Sequence, residues 1–478
     1  MAATASAARP GAARLQPTLG FRDVVLFMVT AGTNLQWVAT AAAAGPSSLT
    51  IWILAGVLFF IPLSVCVVFL AARYPDQGGL YVWSKLAFGP FAGFMTGWTY
   101  WTSNLPYFPG LLYFAAGNFS YWSGRHDAAA VASPAFYVGF ALIGLTVALL
   151  LNVRGLRAAQ WLTNLGAITR WISVILLFGL SLAVWWQHGS ATSITAAALR
   201  PHLHLSDVIF WSAIAFAWTG VEAASFMGGE IKDARRTVPR ALWLAAPMIA
   251  ILYLLGTLSV LLAVPGSETS ALYGVMEAMS AAANRLGVPW LVPVAALSVS
   301  ITCLGSVSAW LGAVARIPFA AGIDHFLPKS FSYLHPRYGS PVVALATQAV
   351  IAGAFAYLGQ AGTSVKGAYA VLVDMMVLAT MLPFVPLFAA AIKLSRGTPF
   401  PGEVRVPGGR FTLVILAVLG LVITLGAIVL ACIPAADEIN PRLAVLKVCG
   451  MTSLLLTIGG SIYWAGSSSA RRRRLEII

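Results

Sequence analysis

Phe216-Ala-Trp-Thr-Gly-Val-Glu222 interrupts a long apolar stretch near the middle of the chain. Val208-Ile-Phe-Trp-Ser-Ala-Ile214 leads into it and Ala223-Ala-Ser-Phe-Met227 follows, so Gly220 and Glu222 stand near the centre of a run long enough to cross a bilayer. A carboxylate at that depth costs roughly 2.5–3.5 kcal/mol on insertion scales unless it faces a polar cavity or a partner. Glycine beside it allows a helix to break, and broken helices in membrane proteins line binding sites. The stretch reads as the interrupted helix of a solute transporter.

The remainder of the chain supports a membrane setting. Of its 478 residues 59% are hydrophobic and only 9% charged, with a mean hydropathy of +0.84, whereas soluble domains carry about 25% charged residues. Windows of about 20 apolar residues give twelve candidate spans, roughly at 22–46, 50–72, 89–121, 133–151, 160–187, 205–229, 241–264, 289–315, 341–360, 367–392, 411–432 and 444–466. The third and eighth are overlong, which implies tilt or extension past the bilayer. Residues 1–20 lack the short apolar core and cleavage site of a leader peptide, so none is expected ahead of the first span. The fold class predicted is an all-α integral membrane protein of twelve helices.

A net charge of +14 raises nucleic acid as a partner, and the distribution of the charge argues against it. With the N-terminus placed in the cytoplasm and loops assigned alternately, 22 of the 29 lysines and arginines fall on the cytoplasmic side and six outside, with Arg170 left inside the fifth span. That bias follows the positive-inside rule, with both termini cytoplasmic. The basic run Arg471–Arg474 reads as a topology anchor or a contact to anionic lipid. Cys66, Cys303, Cys432 and Cys449 have no metal-ligand spacing and read as buried small hydrophobes. His202 and His204 lie before the sixth span, as a solvated loop or a pH-sensitive pair. No phosphate loop, zinc motif or nucleophile elbow is present, so neither an enzyme nor a metal or other cofactor is expected.

Spans 1 and 6 share middles rich in small and polar residues: Thr30-Ala-Gly-Thr-Asn34 and Thr219-Gly220. Five spans separate them, an odd offset that reverses direction, so the spacing predicts two five-helix halves related by inverted topology. The expected organisation is a tail over 1–20, a ten-helix core over 21–394, helices 11 and 12 within 395–466, and a basic tail over 467–478.

Three groups of motifs then resemble one family: "GVEAAS" at 220–225 with "EIKDARRTVPRA" at 230–241; "CLGSVSAW" at 303–310 with "ARIPFAAGIDHFLPKSF" at 315–331; and "ARYPDQGGLYVWSKLAFGPFAGFMTGWTYW" at 72–101. From about Phe21 to Leu394 the chain is similar to the amino acid–polyamine–organocation transporters, and among them to bacterial arginine/agmatine and glutamate/GABA antiporters. The resemblance implies that the first span unwinds so that backbone N–H groups hold a substrate carboxylate. Relatives carry Gly-Ser-Gly there, whereas this chain has Ala31, Gly32, Thr33 and Asn34. It implies that Phe216 is an inner lid over the substrate and that carbonyls around Ala217, Trp218 and Thr219 face its amine. Trp310 and Tyr100 match site-lining aromatics, and Glu222 matches a residue that bridges helices and takes part in proton-linked steps. Arg170, six residues after Asn164, resembles a lysine that fills the place of a sodium ion between spans 1, 5 and 8. Arginine stays charged under ordinary conditions, which argues against sodium coupling; the alternative is that Arg170 snorkels to the cytoplasmic boundary. Asp374 in span 10 has three open roles: helix bridging, proton transfer, or contact with a cationic substrate.

The function expected is a secondary transporter of amino acids or related amines in the cytoplasmic membrane, sodium-independent, as an exchanger or proton-linked symporter. Polyamine transport is the alternative. Polyamine sites call for several carboxylates, and only Glu222 and Asp374 lie deep in the membrane. A nutrient sensor on the same fold normally carries an output domain or a long tail, and only about 12 residues follow the last expected span.

Overall fold

The computed structural model describes residues 17, 19–75, 78–123, 133–201, 205–323, 326–360, 364–397, 406–433, 442 and 445–475. His202 and His204 lie outside the described residues. Helices make up the architecture, and no strand occurs among the described residues apart from a single parallel bridge between Leu19 and Ile231. Among the described residues ten stretches are long and apolar enough to cross a membrane: Phe21–Ala43, Ser47–Arg73, Pro134–Val153, Arg157–His188, Ala234–Ala263, Leu291–Phe319, Val342–Gln360, Val365–Leu394, Gly409–Ala431 and Leu446–Ser467.

Two of the twelve expected spans are not among these ten, each for a physical reason. The third is one unbroken helix, Pro90–Phe119, but it is rich in Thr, Ser and Asn. All of its residues from Thr96 to Asn118 are buried, so protein rather than lipid surrounds them and lipid-like hydropathy is not required of the sequence. The sixth is cut short: its helix stops at Ala217, and a tighter 3-10 stretch, Val221–Glu230, follows across Gly220.

The helices that position the site are numbered in chain order. They are α1 (Phe21–Gly32), α2 (Leu35–Ala43), α3 (Ser47–Ala55), α4 (Ile61–Arg73), α5 (Leu80–Phe88), α6 (Pro90–Phe119), α7 (Pro134–Val153), α8 (Leu156–His188), α9 (Leu205–Ala217), α10 (Ala234–Ala263), α11 (Gly274–Arg285), α12 (Leu291–Val314), α13 (Arg316–Ile323), α14 (Val342–Gln360), α15 (Val365–Met381), α16 (Phe384–Leu394), α17 (Gly409–Ala431) and α18 (Met451–Leu475). Apolar side chains of α7, such as Leu142, Ile143 and Leu150, point outward, as expected of a wall exposed to lipid.

Helices α8 and α12 cross in closest contact at a pair of glycines. A Cβ added to Gly166 would lie 2.7 Å from the Gly305 Cα, and one added to Gly305 would lie 2.7 Å from the Gly166 Cα. Lipid tails are as apolar as leucine, so helix association in a membrane depends on such close backbone packing and on interhelical hydrogen bonds. The crossing brings Arg170, one turn beyond Gly166, alongside Ser306. At one end of the bundle, the 3-10 stretch finishes in Glu230, which is 4% exposed. Arg316 donates Nε and Nη2 to its carboxylate at 2.7 and 2.9 Å. The main chain closes the same corner: Leu19 N–H donates to the Glu230 carbonyl, and Lys232 N–H donates to that of Leu19, each at 2.9 Å. The segment before α1, the exit of the 3-10 stretch and the start of α13 are thereby joined.

The sequence reading of four buried cysteines is corrected for two of them. Cys66 and Cys303 are buried, while Cys432 and Cys449 are partly exposed, because they sit at the ends of the outermost helices.

The glycine crossing yields a direct test. Gly166→Ala pushes a methyl group into backbone, and overpacking of this kind costs about 1–3 kcal/mol; the melting temperature of the purified protein falls accordingly. Gly179→Ala, on the same helix with nothing within 4 Å of its added Cβ, leaves the melting temperature unchanged or slightly raised.

Candidate substrate site

The site begins with two extended residues. α1 ends at Gly32, Thr33 (φ −128°, ψ 132°) and Asn34 (φ −144°, ψ 129°) run extended, and α2 starts at Leu35. The break leaves the last carbonyls of α1 and the first N–H groups of α2 without helical partners. Gly220 makes the matching break after α9 with φ 115°, a conformation that favours glycine. The two breaks touch, since a Cβ on Gly220 would lie 2.7 Å from the Ala31 carbonyl oxygen.

Arg170 supplies the partners that α1 lost. Its Nη1 donates to the carbonyls of Val29 (3.3 Å) and Thr30 (2.7 Å) and to Thr33 Oγ1 (2.8 Å), and Nη2 donates to Ser306 Oγ at 2.5 Å. A cation at a helix C-terminus is favoured by the partial negative charge of the exposed carbonyls. The guanidinium is 2% exposed and joins α1, α8 and α12, so it does not reach out to a membrane boundary.

Tyrosines tie the second half of the broken first helix to its surroundings. Asn34 N–H donates to the Tyr253 hydroxyl at 3.2 Å, and Tyr253 donates in turn to the Ala217 carbonyl at 3.0 Å. Asn34 Nδ2 donates to the Tyr107 hydroxyl at 3.2 Å. One tyrosine on α10 thus spans both breaks. It also takes one of the N–H groups of the unwound segment to which the resemblance gave a substrate carboxylate.

Where the breaks meet lies a small cavity of about 30 Å³. Seven of the expected residues line it: Ala31, Asn34, Tyr100, Phe216, Ala217, Thr219 and Trp310. Phe216 packs edge-on to Trp37 with ring centroids 5.0 Å apart, and Trp310 packs similarly on Tyr107 at 6.0 Å. The indole N–H of Trp310 is buried without a hydrogen-bond partner. Every lining residue is uncharged.

Three expected residues stand outside the lining. Trp218 turns into an aromatic cluster with Phe60 (4.6 Å), Trp52 (5.6 Å) and Tyr253 (5.8 Å), fitting over Gly56, where any Cβ would crowd its ring at 3.2 Å. Gly32 is packed against Ile249, and Thr33 is occupied by Val29 and Arg170.

Sequence reasoning missed Trp37, Ser103, Asn104, Tyr107, Tyr253, Met376 and Thr380, all of which line the cavity. Helical periodicity offered a signal for three of them, because Ser103, Asn104 and Tyr107 follow Tyr100 at i+3, i+4 and i+7. Trp37 sits at the same i+3 spacing from Asn34. Tyr253, Met376 and Thr380 come from helices with no local motif.

Glu222 is fully buried just beneath this layer. The Tyr100 hydroxyl donates to its Oε1 at 2.7 Å, and Gly220 N–H donates to its Oε2 at 2.8 Å. The carboxyl therefore joins α6 to the break after α9, one tyrosine ring away from the cavity. Asp374 is half-buried on α15. It lies outside the cavity lining and is not a hydrogen-bond partner of Arg170. Among the described residues no group of His, Cys, Asp and Glu is arranged to hold a metal ion.

Comparison with known proteins agrees with this architecture. A family model described as amino acid permease matches residues 19–454. An uncharacterised transporter of Legionella pneumophila is 30% identical over 419 residues, 87% of this chain and 89% of that protein. A Lactococcus lactis protein named "Probable agmatine/putrescine antiporter" is 23% identical over 450 residues, 92% of this chain and 91% of its own. The glutamate/gamma-aminobutyrate antiporter of the same species is 26% identical over 402 residues, 80% of this chain and 78% of its own. These relatives are transporters rather than enzymes, and the apolar helices make the chain an integral membrane protein. The chain belongs to the amino acid permease family of membrane transporters.

Proposed function

We propose that the protein is a secondary transporter that moves amino acids or closely related amines across the cytoplasmic membrane of a bacterium by alternating access, without sodium, as an exchanger or a proton-linked symporter. The observation that carries this reading is the cavity at the meeting point of two helix breaks. Paired discontinuous helices at mid-membrane are where transporters bind solute, because unwound backbone there offers N–H and C=O groups that a continuous helix consumes. Twelve crossings fit this reading, with 21–394 as a five-plus-five inverted repeat, 395–466 carrying the last two helices, and both tails, 1–20 and 467–478, in the cytoplasm. Aromatic walls and hydroxyl and amide groups suit the mixed surface of an amino acid. Membrane lipid is the other expected partner, through the basic residues 471–474.

Phe216 and Trp310 approach the cavity from α9 and α12, so access requires one or both rings to move. Arg170 supports sodium independence: its guanidinium occupies the space between α1, α8 and α12 and consumes the carbonyls that would ligate a cation. Glu222 is placed to report its protonation to the cavity through the single hydroxyl of Tyr100, which supports a proton-linked step. The likeness to an agmatine/putrescine antiporter favours a polyamine as the second reading. The uncharged lining of the cavity favours an amino acid, since neither Glu222 nor Asp374 contributes to it. Counterflow in proteoliposomes, with amino acids set against putrescine and agmatine, separates the two readings, and no exchange of any of them would defeat transport itself.

Three outcomes are expected. Uptake into proteoliposomes is unchanged when choline replaces sodium at constant pH, and a sodium requirement would refute the role given to Arg170. Phe216→Ala and Trp310→Ala each weaken substrate binding by roughly 1–3 kcal/mol, in the range of a buried aromatic contact, while the melting temperature stays near that of the native protein. Normal calorimetric affinity in both would show that substrate binds elsewhere. Glu222→Gln keeps size and most hydrogen bonds but cannot titrate; it retains substrate binding and loses the pH dependence of uptake, whereas an unchanged pH profile would leave Glu222 a helix bridge alone.

A further inference from the structure

The ends of three helices meet at a basic corner that takes no part in the substrate cavity. There α16 packs against α4 and α5. Its last turn runs on past Leu394, with the N–H groups of Arg396 and Gly397 donating to the carbonyls of Lys393 and Leu394 at 3.3 Å each. Arg73, the last residue of α4, lays its guanidinium on Gly397, where an added Cβ would stand 2.5 Å from Nη2. Lys393 reaches α5, its ammonium 5.1 Å from the centre of the Phe88 ring. Residues four apart on a helical turn are neighbours, so Lys393 and Gly397 bring Arg73 and Phe88 into one cluster, with Arg396 on the same turn. Lys393 and Arg396 are exposed and Arg73 is half-buried. Across residues 61–88 and 384–397 the chain carries Arg73, Lys85, Lys393 and Arg396 against one acid, Asp76, which lies outside the described residues. Positive charge is therefore in excess at this corner. Apolar side chains flank it: Leu86, Phe88 and Phe91 are 52%, 44% and 46% exposed. Phe91 packs on Tyr463 and Trp464 of α18, with ring centroids 5.1 and 6.2 Å apart.

We propose that this corner is a binding site for an anionic phospholipid, whose headgroup meets Arg73, Lys393 and Arg396 and whose acyl chains run past Leu86 and Phe88. Tyr and Trp side chains gather at the level of lipid headgroups, so the belt formed with Tyr463 and Trp464 sets the neighbouring cations beside phosphates. Like charges gathered from α4 and α16 repel one another. The rings under them, Phe69 and Tyr74 at 5.8 and 5.9 Å from Arg73 and Phe88 under Lys393, offset part of that repulsion. A phosphodiester completes the balance: it offers two acceptor oxygens to a guanidinium and a compact negative charge to an ammonium. A soluble anion would meet the cations and leave the apolar rim unused, whereas a lipid uses both. Its headgroup then ties the end of α4 to the end of α16, two helices that arrive from distant parts of the chain, and the bundle is stabilised at that end.

The test uses the purified full chain in detergent, given equal amounts of phosphatidylglycerol and phosphatidylcholine with matched acyl chains. Native mass spectrometry reads which lipid stays bound, and the melting temperature is followed with each lipid alone. The expected result is preferential retention of phosphatidylglycerol and a rise in melting temperature with that lipid only. Lys393→Gln combined with Arg396→Gln removes two exposed cations and lowers the preference on the order of tenfold, while Lys393→Arg retains it. Equal retention of the two lipids by the native protein overturns the site. So does a double variant that keeps the full preference, or a preference that disappears when Arg471–Arg474 are replaced by Gln and survives in the double variant. Glycerol 3-phosphate in place of the lipid is expected to leave the melting temperature unchanged; a rise equal to that with phosphatidylglycerol would assign the corner to a soluble anion and overturn the lipid. Added salt tests the native protein without any substitution, because the preference falls as the charges are screened. A preference that salt does not alter rules out recognition by these cations.

Discussion

A single guanidinium holds the centre of this protein together. Breaking α1 at mid-membrane leaves carbonyls that neither water nor lipid can satisfy, and each orphaned group there costs several kcal/mol. Arg170 meets that demand from α8 while binding Ser306 on α12. The charge and the break depend on each other: a buried cation needs a dense set of acceptors, and the broken helix end needs donors. The geometry requires α8 and α12 to lie almost backbone to backbone, which Gly166 and Gly305 alone permit.

The second break is held differently. Gly220 adopts a left-handed conformation against the Ala31 carbonyl, and its own N–H is taken by the side chain of Glu222. Tyr253 then reaches from α10 to contact both breaks, accepting from Asn34 and donating to Ala217. Because one hydroxyl serves both, displacement of either broken helix disturbs the other. Under the proposed function, a substrate carboxylate competing for the Asn34 N–H would release Tyr253 and with it the Ala217 carbonyl next to Phe216.

The charged groups of this bundle stand behind the cavity wall rather than in it. The cavity wall is uncharged, Glu222 lies one tyrosine behind it, and the Glu230–Arg316 pair closes a corner at one end. An ion pair buried to this degree contributes little net stability when intact, because desolvation offsets attraction, yet removal of one partner costs about 3–5 kcal/mol. Its arrangement, with Leu19 bonded to the same segment, therefore specifies which elements stay together at that end more than it stabilises the whole.

Much of this was legible in the sequence because membranes impose strong local rules. Apolar length marked the ten stretches, the charge in Phe216–Glu222 marked the second break, and the family motifs pointed to Tyr100, Phe216 and Trp310, all of which line the cavity. Windows of apolar residues also marked α6 and the sixth span, which fall outside the ten stretches because α6 carries Thr, Ser and Asn where other helices shelter it and the sixth span's helix is short once broken. Trp218 shows the limit of motif transfer: one residue from the cavity in sequence, its ring turns into the groove above Gly56, because a break in the helix resets side-chain direction at every following residue. Tyr253, Met376 and Thr380 carried no local signal, since their place in the site comes only from how α10 and α15 pack. The sequence by itself determined that the chain is helical, membrane-embedded and interrupted at two points, because hydropathy and helix-breaking residues act over a few turns. Only the tertiary structure decided which groups satisfy those interruptions, because hydrogen bonds such as Arg170 to Thr30, 140 residues apart, depend on packing that no local stretch encodes.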